Sequence, residues 1–161
     1  MKTLTIAVVA LLVSATSVNA DHHHKTWAKF FAGSWELSGE GVKAEMNLKA
    51  VAKDSAVIGT GKDAEGRESA WIMGWDSVAK RAIHAWFGDQ GEHGRAIYEV
   101  VDEDTLRGPG LSHSSEGVMK GTVTLKRTGD NRYTVKWTNV TMDGEKADDR
   151  NIVVERLAKK K

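Results

Sequence analysis

The sequence predicts an all-β protein: a single antiparallel, up-and-down β-barrel of about ten strands, preceded by one short helix. Beyond residue 25 the chain is a succession of short strand-like runs, separated by turns rich in Gly, Asp and Asn at the spacings of an antiparallel barrel or sandwich. Period-two alternation is explicit in the late runs: Tyr133, Val135 and Trp137 fall on one face, and Thr134, Lys136 and Thr138 on the other. No helical segments follow that would cover sheet edges, and closure into a barrel removes the edges. The interior of such a barrel is either filled by side chains or left as one small-ligand cavity.

The helix is expected over 25–31, where Trp27, Phe30 and Phe31 lie at i, i+3, i+4 spacing and form a short plug or lid before the first strand. Strands are expected over 33–40 and 42–49, broken by Gly39 and Gly41, and over 57–62, which ends in the turn Asp63-Ala64-Glu65-Gly66. The runs 68–75 and 81–87 are joined by a hairpin-length loop, and 95–101 leads into the turn Asp102-Glu103-Asp104. The run 105–108 is expected to stop against Pro109, the only proline. Strands over 119–127, 132–140 and 151–157 complete the set. Thr128-Gly129-Asp130-Asn131 forms a turn between the first two, and Met142-Asp143-Gly144-Glu145 begins the last connection.

At 161 residues and 17.6 kDa the chain has the length of one domain. Residues 1–20 read as a secretory signal peptide: Lys2 supplies a positive start, Leu4 to Val13 a ten-residue apolar core, and Val18 and Ala20 the small residues before a cut. That core is too short for a membrane span, which needs about 20 apolar residues. Residues 21–26 then form a flexible His-rich N-terminus and 27–158 the barrel domain, in a protein expected to be periplasmic or secreted. Without residues 1–20 the chain keeps 22 Lys+Arg against 22 Asp+Glu, because only Lys2 of the 23 basic residues is lost. That balance argues against nucleic acid and polybasic membrane attachment as partner classes. Zero cysteines exclude disulfides, thiolate metal sites and thiol nucleophiles.

The segment Phe30-Phe31-Ala32-Gly33-Ser34-Trp35-Glu36, a short helix running into a first strand, resembles the Gly-x-Trp opening of lipocalin-like (calycin-type) barrels. Gly74-Trp75-Asp76, the following 82–87 run and Gly91 resemble bacterial exported lipocalin-like families of unknown function, over about residues 27 to 157. The resemblance implies a closed barrel with a pocket, and no particular substrate. Nitrobindin-type haem barrels also open with a Gly-x-Trp strand and hold iron through a histidine on a late strand. The late runs 132–140 and 151–157 contain none, so haem is not expected.

Trp71, Met73 and Trp75 lie on one face of one run, and His84 and Trp86 on one face of the next. With Tyr98 and Trp137 they are the candidate ligand-binding residues, aromatic surface with His84 as the polar handle. The bland alternative is that these rings simply fill the barrel. His93, in the loop after Asp89, and His113, in the Ser/Gly-rich loop after Pro109, are expected to be solvated; an enzyme or metal protein would use these two or His84. No catalytic residues are assigned, since no nucleophile elbow or phosphate loop occurs. A cut after Ala20 would put His23 third in the mature chain, where Asp21-His22-His23-His24 offers a square-planar nitrogen set for Cu(II) or Ni(II). The expected function is binding of a small apolar or amphipathic molecule without catalysis. The alternatives are a histidine-based enzyme and a filled structural or interaction barrel.

Overall fold

The structure, a computed structural model, describes residues 20–39 and 42–158. The signal peptide expected over residues 1–20 lies outside the described residues except for Ala20, and so do the side chains of His22, His23 and His24. A helix, α1 (Ala20–Phe31), leads into strands β1 (Gly33–Gly39), β2 (Val42–Val51), β3 (Ala56–Asp63), β4 (Glu68–Asp76), β5 (Arg81–Gly88) and β6 (His93–Asp102). Strands β7 (Thr105–Ser114), β8 (Gly117–Gly129), β9 (Arg132–Met142), β10 (Glu145–Lys146) and β11 (Arg150–Arg156) follow. Each strand from β1 to β9 pairs antiparallel with the next, and β11 joins β9 to β1, which closes a ten-strand barrel; β10 is a two-residue extension on β9. The helix begins five residues before the predicted 25, so the backbone of 21–26 is helical where a flexible tail was expected.

The helix plugs one end of the barrel. Trp27, Phe30 and Phe31 are buried with Trp35 and Tyr133, ring centroids 5.2 to 5.9 Å apart in the contacting pairs. The last carbonyls of a helix lack intrahelical donors. Here Arg156 supplies them, with Nη1 donating to Ala32 O at 2.7 Å and Nη2 to Phe30 O at 2.6 Å. Its guanidinium also lies over the Trp35 ring, 4.1 Å from the centroid, and Trp35 Nε1 donates to Phe31 O. Gly33 makes room for this: its φ is +134°, and a Cβ there would collide with the Arg156 guanidinium.

Two elements depart from the local pattern. Strand β7 does not stop at Pro109 but runs to Ser114. The β6–β7 ladder skips the proline, with pairs at Ala96↔Gly110 and Glu99↔Arg107, while Pro109 stays in register with Thr122 of β8. In β9 strict alternation would turn Asn139 inward after Tyr133, Val135 and Trp137. Asn139 instead adopts φ +54° in a bulge opposite Gly121, which leaves it exposed and returns Val140 to the core.

Candidate functional site

A cavity of about 300 Å³ occupies the barrel beyond the plug, at the lower end of small-molecule pockets. Its inner end is Phe31 and Tyr133, and it extends toward Val42 and Ser112 on the side away from the helix. Six of the predicted residues line it: Trp71, Met73, His84, Trp86, Tyr98 and Trp137. Strand pairing brings them together, because Trp71 faces Trp86 and Met73 faces His84 across β4–β5. The rings make one wall. His84 stacks on Trp71 with centroids 5.3 Å apart and on Tyr98 at 6.3 Å; Trp86 packs against His84 at 5.2 Å and edge-on to Trp137 at 6.4 Å.

Large residues on this wall sit over glycines. A Cβ on Gly94 would fall inside the Trp86 indole, and one on Gly110 would strike Val123 and the Trp137 ring. At the end away from the helix the inward positions include Gly61, Ser69, Gly88, Gly94 and Ser112. Small side chains cannot meet across a barrel, so the space remains.

Trp75 departs from the expectation. It points inward like Trp71 and Met73, but two residues further along a strand is about 6.6 Å, and that step takes it under the helix. There it lines a separate gap of about 30 Å³ with Trp27, Ala28 and Leu106. His93 and His113 lie on the outside of the barrel, as solvated residues would, but not in loops. Both are on strands, paired across β6–β7 with rings parallel and 4.6 Å apart, and Phe87 stacks on His93. They alternate to the outer face of β6 and β7, whereas His84 is inside, so the three histidines do not converge. Among the described residues no group of three or more His, Asp or Glu is gathered as a metal would require.

His84 is the polar feature of the cavity. It is 9% exposed, and its Nδ1 is buried with no hydrogen-bond partner. Burial alone lowers its pKa from 6.5 to about 4, so the ring is neutral at pH 7. Burial likewise holds the Tyr98 and Tyr133 hydroxyls well above the usual phenol range. Sequence reasoning left out Met46, Met119, Leu125 and Val135, lining residues from β2, β8 and β9, and Ser112 at the far end. Alternation was the available signal for the hydrophobic ones; Ser112 was hidden by the expectation that a loop follows Pro109. Neither known protein families nor curated proteins match the chain.

Proposed function

We propose that the protein is an exported, lipocalin-like barrel that carries or senses a small apolar or amphipathic molecule and does not transform it chemically. The observation that carries this reading is an apolar cavity of about 300 Å³ holding one buried, unpartnered imidazole. An orphaned polar atom costs about 1–3 kcal/mol, a cost that binding a complementary group would offset. The cavity lining contains Trp, Met, Leu, Val and Ile with no carboxylate, Lys or Arg, which favours uptake through burial of apolar surface. Residues 1–20 support export to the periplasm or beyond, and the opening from Phe30 to Glu36 supports the lipocalin-like assignment.

Native mass spectrometry of untagged protein, exported by its own leader, tests the proposal. The expected result is the mass of a chain starting at Asp21 plus a few hundred daltons that are lost on denaturation. Protein recovered bare and silent to apolar probes would point to a structural barrel instead. A bound metal ion lost on removal of residues 21–24 would move attention to His22, His23 and His24.

A further inference from the structure

The buried imidazole also constrains what the cavity accepts. A neutral histidine carries one proton, on Nδ1 or on Nε2. Nδ1 of His84 is enclosed and has no acceptor nearby. Placing the proton there would bury an N–H without a partner, a costlier state than a buried lone pair. The proton therefore belongs on Nε2, the ring nitrogen left to meet a bound molecule. The hydroxyls of Ser112, Tyr98 and Tyr133 on the lining can each give or take a hydrogen bond, and so do not discriminate. His84 does, because it only gives.

We propose that the cavity selects a neutral, planar conjugated molecule that presents one hydrogen-bond acceptor, a carbonyl oxygen or a ring nitrogen, to Nε2–H of His84. Planarity follows from the wall itself: Trp71, His84 and Tyr98 stack within about 25° of parallel, and a flat ring extends that stack. Neutrality follows from two observations. The lining holds no cation to pair with an anion. At the end away from the helix, the turns 63–68, 88–93, 114–117 and 142–150 carry ten carboxylates against three basic side chains, a field that repels an approaching anion.

The inference rests on the carrier reading, and one titration series separates the two. Naphthalene, 2-acetylnaphthalene, quinoline and 2-naphthoate share a ring system and differ in the polar group. Their binding is measured by calorimetry to the wild-type chain lacking residues 1–20 and to His84→Leu. The two acceptor compounds should bind wild type about three- to tenfold more tightly than naphthalene. That preference should vanish in His84→Leu while naphthalene still binds, and 2-naphthoate should be the weakest ligand of wild type. Equal binding of naphthalene and the acceptor compounds to both proteins would overturn the inference and leave the carrier reading standing. Failure of all four to bind wild type would overturn both. Nitrogen-15 NMR of the His84 ring in wild type gives a check independent of any variant: a proton found on Nδ1 would overturn the inference.

Discussion

At the helix end, Trp27, Phe30, Phe31, Trp35 and Tyr133 pack ring to ring and two arginines lie over them; beyond His84, equally large rings surround empty space. Trp35 is fully buried and has neighbours on every side, with Met46 opposite it on β2 and Arg156 opposite it on β11. Trp86 has His84 and Trp137 on its flanks, Gly94 beneath it and a cavity in front. A ring that faces a void lacks dispersion partners on that side. One end therefore contributes stability, and the other forgoes part of it to form a cavity.

Truncation tests that division most strongly. Trp35→Ala should cost about 3–5 kcal/mol, and Trp86→Ala about 2 kcal/mol or less, since part of its contact is already missing. Both are read from urea unfolding, with an unchanged m-value as the check on two-state behaviour. Equal losses would show that the two ends are not built differently.

The next effect in size is the pH dependence that His84 imposes. In the unfolded chain the ring titrates near 6.5 and in the folded barrel near 4. Between those values the unfolded chain binds a proton that the folded chain refuses. The neutral ring's contribution is thus intact above pH 6.5 and declines as pH falls toward 4. The full difference is on the order of 3 kcal/mol. The cavity residues facing the ring include no carboxylate, Lys or Arg, and the Tyr98 hydroxyl stays protonated throughout this range. Unfolding free energies of wild type and His84→Leu, compared from pH 7 to 4.5, should therefore shift relative to one another by most of that amount, with wild type losing more. Parallel curves would mean that the ring is hydrated.

The smallest effect lies in the β2–β3 turn beside the plug, where Ala52, Lys53 and Asp54 all have φ between 51° and 65°. Left-handed backbone is strained for residues with a Cβ. Lys53 is exposed, so Lys53→Gly removes strain without removing packing and should stabilise the protein by about 0.5–1 kcal/mol, read as a higher urea midpoint. A lower midpoint would show that the turn is not under strain.

Much of this architecture was legible in the residues. The Trp27, Phe30, Phe31 spacing marked the plug, the turn residues placed most of the strands that follow, and alternation put Tyr133, Val135 and Trp137 on one face, which the barrel turns inward. Six of the seven residues proposed from the sequence line the cavity, and alternation was the signal that grouped Trp71 with Met73 and His84 with Trp86. Whether Pro109 ends a strand could not be read locally, because it depends on whether the neighbouring strand needs the missing N–H at that register. The bulge at Asn139 was hidden for a similar reason: Asn tolerates positive φ, but only the register shift between Lys120 and Thr122 of the neighbouring strand calls for it.

Sequence by itself determined the strand periodicity, the plug and the sets of residues that share a strand face, since these depend on spacings of two or four residues. Only the closed barrel decided which inward residues meet across the interior. Distance along the strand set Trp75 under the helix and Trp71 on the cavity. Pairing of β5 with its neighbours enclosed Nδ1 of His84 without a partner, and the opposite parity of β6 and β7 carried His93 and His113 outside. Those outcomes depend on strands far apart in the chain, and so the cavity at the centre of the barrel is a property of the fold.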